Sequence, residues 1–310
     1  MFKRFSYVLT VYREQSFTRA AEKLFISQPS LSAAIKKTEE EIGTPLFERG
    51  NPVRLTAAGK EYIRVGEQIT RLQHDFSAFL EDQDTLARGT LSISGSNYAC
   101  SYILPRLVSR FSDTFPNVSV SLLENNTLGL QELLQSDETD LMVDSFEVPP
   151  ETLTCYPLRQ ERIMLAVHRD RAINETLKDY RITPKQMYHQ QPHPNEPVSI
   201  KHFENEKFIL LKAGHDMHRQ AMRAFKRSGI EPQIIFSLDQ LMSSYALAAS
   251  GVGVAFVSDT LLRYHSFPDE VYLYHILESE PRTLSIAHKK SRYCSRAMQE
   301  FIKVAQETIQ

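Results

Sequence analysis

Residues 16–42 read SFTRAAEKLFISQPSLSAAIKKTEEEI, a pattern of two short amphipathic helices joined by a tight turn. Phe17, Ala20, Ala21, Leu24 and Ile26 are followed by Leu31, Ile35 and Ile42, a three-and-four spacing that gives each segment one apolar stripe to bury. Ser16 and Ser27 stand at N-cap positions, where a serine oxygen accepts a backbone N–H that has no helical partner. Pro29 fits just inside the second helix, where its missing N–H is no loss. The remaining face of that helix carries Gln28, Ser30, Ser32, Ala33, Lys36 and Lys37. Small polar groups at the leading end with lysines behind them suit a helix that enters a DNA major groove while its far end meets phosphate.

On the N-terminal side, Phe2, Phe5, Val8, Leu9 and Val11 fall on or near one face and predict a supporting first helix over residues 1–15. On the other side Gly43 is a helix stop. TPLFERGNPVRLT (44–56) then places the turn residues Gly50, Asn51 and Pro52 between two short extended pieces, a wing. The whole run SFTRAAEKLFISQPSLSAAIKKTEEEIGTPLFERGNPVRLTAAG (16–59) resembles the winged helix-turn-helix of the LysR-type transcriptional regulators. Carried over by position, the resemblance implies a DNA-binding set of Gln28, Pro29, Ser30, Ser32, Ala33, Lys36, Arg49 and Arg54. Gln28, Pro29, Ser32 and Ala33 would meet base edges, and Lys36, Arg49 and Arg54 phosphate or the minor groove. Ala33 stands where many members carry arginine, so readout there reduces to contact with a thymine methyl. The plain alternative for any one basic residue is a solvated surface charge.

Thr56 is placed to cap a long helix running to about Leu86. Along it Tyr62, Val65, Ile69, Leu72, Phe76 and Phe79 recur at alternating intervals of three and four, a seam of period 3.5 that a partner helix would fill. A homodimer is therefore expected, and tetramers are common in the resembled family. Ala87-Arg88-Gly89-Thr90 reads as a short hinge. Beyond it strands and helices alternate, which predicts parallel pairing with right-handed crossovers. The strand patterns are LSIS, VSVSLLE and DLMVDS, then RIMLAVH opening a second lobe with FILLK, QIIFS and GVAFVS; VYLYHI and LSIAHKK are read as the return to the first lobe. Residues 183–207, rich in proline and histidine, read as a long surface loop. Two lobes joined by two crossings resemble the effector domain of the same family, which is similar to periplasmic binding proteins. The expected fold is a mainly α winged helix-turn-helix (1–58), a long linker and dimerisation helix (59–88), and a two-lobed α/β domain (89–310). Lobe 1 would comprise about 89–161 and 268–310, and lobe 2 about 162–267.

In an open α/β sheet a ligand sits beyond the carboxyl ends of the strands, where helix N-termini present free N–H groups. That rule selects Gly95-Ser96-Asn97-Tyr98, Asn125-Asn126-Thr127 and Gly214-His215-Asp216. The candidate effector residues are Ser96, Asn97, Tyr98, Asn126, Thr127 and His215, and their amides and hydroxyls favour a small polar or anionic molecule. Turn and capping chemistry alone would also account for them. His215-x-x-His218 and His189-x-x-x-His193 lack the further ligands a metal site needs, and Gly251-x-Gly253 precedes a strand instead of opening a helix, so no metal or cofactor is expected.

The 310 residues have 42% apolar and 24% charged side chains and a net charge of −2, ordinary for a globular protein. The balance is uneven: residues 1–64 hold eleven Lys/Arg against seven Asp/Glu, a surplus of +4, which leaves −6 for the remainder. A basic surplus confined to the candidate DNA end is the expected electrostatic footprint. No apolar run reaches the length of a membrane span and MFKRFSYVLTVYREQ lacks the apolar core of a signal peptide, so a cytoplasmic protein without membrane contact is expected. Cys100, Cys155 and Cys294 are odd in number and far apart, as reduced thiols would be. The leading expectation is a non-enzymatic regulator that binds an inverted-repeat operator in double-stranded DNA and answers to a small effector. The alternatives are a metabolite-processing enzyme and a redox-responsive regulator using Cys100.

Overall fold

The computed structural model describes residues 1–48, 50, 52–83, 89–146, 151–194 and 196–309. The chain forms two compact units, Met1–Ser77 and Ala78–Gln310. In the first, α1 (Phe5–Glu14), α2 (Phe17–Lys23) and α3 (Gln28–Ile42) precede a hairpin of β1 (Phe47–Glu48) and β2 (Arg54–Leu55), and α4 (Ala57–Gln83) follows. The expected caps form: Ser16 Oγ accepts the Arg19 N–H at 3.4 Å and Ser27 Oγ the Ser30 N–H at 3.3 Å. Gly43 ends α3 with a left-handed φ of 84°, and Thr56 Oγ1 accepts the Gly59 N–H at 2.9 Å to start α4. Val8, Val11, Ala20, Ala21, Leu31, Ile35, Leu46 and Leu55 make one small core.

That core also claims the start of the expected seam. Tyr62 is buried, stacks on Phe2 at 4.7 Å and donates its hydroxyl to the Met1 carbonyl at 2.9 Å. Tyr62 therefore belongs to the helix-turn-helix core. The exposed apolar side chains on α4 are Leu72, Phe76, Phe79 and Leu80, of which Leu72 and Phe76 are 62% and 61% exposed, while the Phe79 ring also meets that of Tyr293 edge-on at 6.0 Å.

The second unit opens with β3 (Gly89–Gly95), a π-helical turn at Ala99–Ile103, α5 (Leu104–Thr114), β4 (Val118–Glu124), α6 (Thr127–Gln135), β5 (Leu141–Phe146) and β6 (Leu153–Glu161). Lobe 2 follows as β7 (Ile163–His168), α7 (Ile173–Thr176), α8 (Pro184–Tyr188), β8 (Lys207–Leu211), α9 (Asp216–Ser228), β9 (Gln233–Leu238), α10 (Leu241–Ala249), β10 (Val254–Ser258), α11 (Asp259–Tyr264) and β11 (Val271–His275). β12 (Arg282–Lys289) and α12 (Arg296–Thr308) return to lobe 1. The sheets run β4-β3-β5-β12-β6 and β11-β7-β10-β8-β9. The fold is thus a winged helix-turn-helix with a two-lobed α/β domain.

Four readings change, and one strand that the sequence reading did not include, β6, appears. Gly89 and Thr90 are not hinge residues, since they pair with Val118 and Ser119 in the β3–β4 ladder; Ala87 and Arg88 lie outside the described residues. VYLYHI stays in lobe 2, where β11 pairs antiparallel with β7, so the return crossing comes after it. β6 carries Pro157, a residue without a ladder N–H, and accommodates it as an edge strand. Residues 183–207 are not simply a loop: Thr183 and Gln186 form a capping box that starts α8, and Ile200 and Phe203 are buried in a 3₁₀ turn. Pairing is parallel only among β3, β4 and β5 and among β8, β9 and β10, the remaining strands being antiparallel.

Candidate functional site

The first candidate surface is the outer face of α3 with the hairpin beside it. Leu31, Ile35 and Thr38 fix the inner face of the helix, which leaves Gln28, Pro29, Ser30, Ala33, Lys36 and Lys37 exposed and Ser32 half-buried. Gln28 Nε2 donates to Ser32 Oγ at 2.9 Å, holding the amide along the helix surface. Glu39 Oε1 accepts the N–H groups of Leu46 and Phe47 at 2.7 and 3.3 Å, so α3 and the wing are tied at their shared base. Lys36 and Ser32 line the groove between helix and wing. Arg54, exposed, pairs across the hairpin with Glu48. Arg49 lies outside the described residues. One residue was not singled out in the sequence: Phe25, in the turn before α3, is 95% exposed with a left-handed φ of 55°. Its signal was an aromatic in a position that favours Gly or Asn.

The second surface is the crevice between the lobes of the effector unit. Thr127, at the start of α6, accepts the Asp216 N–H from lobe 2 at 3.2 Å. Gly214, with φ +103°, lies against Asn126 and Leu128. Sequence-selected residues from both lobes therefore meet. The others have narrower tasks: Asn126 caps α6 through the Gly129 N–H at 3.0 Å, and Asn97 Nδ2 donates to Glu124 at 2.9 Å. Tyr98 is turned inward, its hydroxyl 3.1 Å from Glu161. Burial, reinforced by His218 and Lys212, holds His215 below its ordinary pKa, so it supplies no charge at neutral pH.

Charge at the crevice comes instead from residues the sequence did not reveal. Arg282, buried at the second crossing, donates to Glu161 at 2.9 Å and to Asp216 at 2.6 Å. Glu161 also accepts from Ser258 at 2.8 Å and from Ser145, and Arg219 covers the far side of Asp216. Burial opposes both carboxylate charges, and Arg282 with these donors outweighs it, so both end below the usual carboxylate range. Asp144 is different. It is buried beside this cluster, its Oδ2 has no hydrogen-bond partner, and burial pushes its pKa up to about 6. Ser96 Oγ is likewise buried without a partner. Two unsatisfied polar atoms in lobe 1, one on β5 and one just past the end of β3, are what a polar ligand would satisfy.

Chain-wide comparisons identify both parts of the chain. The profile of the bacterial regulatory helix-turn-helix proteins of the lysR family matches residues 2–60, and that of the LysR substrate binding domain matches residues 84–310. The chain belongs to the LysR family. It is a LysR-type transcriptional regulator with a DNA-binding helix-turn-helix and an effector-binding domain. Among its relatives is YcgK of Bacillus subtilis (strain 168), an uncharacterized HTH-type transcriptional regulator 31% identical over 309 residues, which cover 99% of this chain and 94% of YcgK. A variant of full-length OxyR from Pseudomonas aeruginosa has the same fold at a TM-score of 0.67 and 22% identity, over 99% of this chain and 94% of that one. Full-length CbnR, solved with its target DNA, matches at a TM-score of 0.61 and 19% identity, over 99% of both chains.

The redox alternative loses its footing in this regulator. Cys100 sits in the π-helical turn with its thiol toward the Gly95 carbonyl at 3.4 Å, and burial together with Glu124 pushes its pKa up to about 11. A thiol so placed is a poor nucleophile at neutral pH.

Proposed function

We propose that this LysR-type regulator binds an inverted-repeat operator through the leading end of α3 and releases or reshapes it when a small polar or anionic molecule occupies the crevice. The observation that carries the DNA reading is α3 itself: a capped helix presents Gln28, Pro29, Ser30, Ser32 and Ala33 at one end, and Lys36 follows beside a wing bearing Arg54, with Arg49 in the same stretch of sequence. CbnR with its target DNA supports duplex DNA as the partner. The functional domains are 1–58 for DNA, 59–88 as the linker that brings two chains together, and 89–310 for the effector. The open face at Leu72, Phe76, Phe79 and Leu80 supports a homodimer as the basic assembly. Among the described residues no helix is long and apolar enough to cross a membrane, which together with DNA binding favours a cytoplasmic location. Regulation, and not turnover, accounts for the effector unit.

Selection from random duplexes should enrich an inverted repeat, and fluorescence anisotropy on that duplex should give lower affinity for Gln28→Ala and Lys36→Ala. If Lys36 meets phosphate, its loss also lowers the slope of log affinity against log salt by about 0.9. Unchanged affinity in both variants would assign recognition elsewhere. For the crevice, thermal shift of the full chain against pools of small acids, amino acids and sugars should give a hit, with stabilisation of about 2.7 kcal/mol at a hundred times the dissociation constant. Ser96→Ala and Thr127→Ala should abolish that hit while leaving operator binding without ligand intact. A hit that survives both variants would move the effector out of the crevice.

A further inference from the structure

The side of the lobe 1 sheet that Asp144 occupies is fixed by its neighbours. Met142, two residues earlier on β5, packs with Leu130 and Leu134 of α6, and alternation along the strand turns Asp144 to the same side. Val143, between them, faces the larger core. The β3–β5 ladder pairs Gly95 with Val143, so the next residues along the two chains, Ser96 and Asp144, follow side by side. α6 begins over this side with Thr127, whose hydroxyl oxygen accepts the Asp216 N–H of lobe 2 at 3.2 Å. One carboxylate and two hydroxyls thus gather where the lobes meet.

They are unequally satisfied. Asp144 has only 3% of its surface exposed, and its Oδ2, like Ser96 Oγ, is buried without a hydrogen-bond partner. With a pKa pushed up to about 6, mainly by burial, the carboxyl is still mostly ionised at neutral pH. Arg282 and the Thr127 hydroxyl favour that charge, but Arg282 is bound to Glu161 at 2.9 Å and to Asp216 at 2.6 Å, and Asp216 repels it. A neutral donor reaching Oδ2 satisfies its hydrogen bond and leaves its charge unmatched. A cationic donor satisfies both, in a shorter and stronger bond. A second anion placed there would add to the repulsion.

We propose that the crevice takes an amino acid, whose ammonium group donates to Asp144 Oδ2 and Ser96 Oγ while its carboxylate lies at the first turn of α6. The inference rests on the crevice being the effector site, and it narrows the polar molecules held there to those that carry a positive charge. The Asn126 cap takes the Gly129 N–H at 3.0 Å, and the N–H groups of the preceding residues, Thr127 and Leu128, are those an anion meets at a helix N-terminus. A buried carboxylate beside the positive end of a helix is a bipolar site, and an amino acid carries the two matching charges on one carbon. The same ligand has a means of control. Asp144 of lobe 1 and Asp216 of lobe 2 repel each other, so a cation held at Asp144 favours the arrangement in which the lobes meet.

The test is isothermal titration of the full chain with the standard L-amino acids and, for each binder, with the α-hydroxy acid that has a hydroxyl in place of its ammonium group. At least one amino acid should give a saturable event, and its hydroxy acid should bind about a hundredfold more weakly or worse, the effect of leaving a buried charge unpaired. Asp144→Asn, which removes a buried charge from the fold, should shrink that preference to about tenfold or less, the scale of neutral hydrogen bonds. No saturable binding by any standard amino acid overturns the proposal, as does a hydroxy acid that binds equally well or a preference unchanged in Asp144→Asn. Thr127→Ala separates this failure from that of the crevice itself. A simple acid without an ammonium group that binds the unaltered chain and is lost in Thr127→Ala keeps the crevice as the effector site and overturns only the amino acid. An amino acid that binds Thr127→Ala and Asp144→Asn undiminished takes the effector out of the crevice and overturns both.

Discussion

Asp144 is the residue whose chemistry the fold serves worst. Its carboxyl, buried on β5 with Oδ2 unpartnered, has a pKa of about 6 against about 3.9 for an unfolded aspartate. Between those values the folded chain keeps a proton that the unfolded chain has lost, so this group lowers stability as pH rises through the window and the loss persists above it. Glu161 and Asp216 act in the opposite sense: their depressed pKa values add stability at neutral pH that disappears as the solution becomes acidic. Asp144→Asn should therefore raise stability at pH 8 by up to about 3 kcal/mol and change little at pH 4, read as urea midpoints at the two values. An equal shift at both would mean that Asp144 acts through packing and not through charge. A ligand that donates to Oδ2 would supply part of the same relief in the unaltered protein.

At the scale of elements, the close approach of α1 and α4 makes a prediction that helix propensity alone would get backwards. A Cβ at Gly66 would stand 2.1 to 2.7 Å from three ring atoms of Phe5, itself packed against the core of the first unit. Gly66→Ala should then destabilise that unit by about 1–3 kcal/mol in thermal melts, the cost of overpacking, although alanine favours an exposed helix by about 1 kcal/mol over glycine. A stabilised variant would refute that packing. The same contrast between local and distant causes explains what could be read in the sequence. The caps Ser16, Ser27 and Thr56, the strand VSVSLLE and helix 216–228 are written in nearest-neighbour chemistry, and each forms at or within a residue of its expected place. β11 pairs with a strand some hundred residues earlier, and no local pattern states which sheet it joins. Arg282 reaches Glu161 across 121 residues and Asp216 across 66, so the charge cluster at the crevice emerges only when the two crossings are folded side by side. Of the crevice residues, Thr127 was legible because it opens a helix; Asp144 reads in the sequence only as part of a buried strand.

For the whole molecule, one recognition helix buries too little against DNA to specify a promoter, and the dimer is what makes two weak half-site contacts into one strong one. The proposed dimer contact, through Leu72, Phe76, Phe79 and Leu80, would place that dependence on α4. Phe76→Glu should give a monomer by light scattering with its helix content intact, since the side chain is exposed within a single chain and the substitution costs its core nothing. Its affinity for the selected inverted repeat should fall by roughly 10²- to 10⁴-fold, the range expected when paired sites become independent. Helical phase gives the sharper measurement. Five base pairs inserted between the half-sites turn them by about half a helical turn and should cost the unaltered protein most of its affinity, whereas ten restore the same face of the duplex and should recover part of it. The Phe76→Glu variant should be indifferent to both insertions, because a monomer reads each half-site alone. If instead the variant keeps the phase dependence, the chains are joined by a surface other than α4, and the seam must serve packing within the subunit.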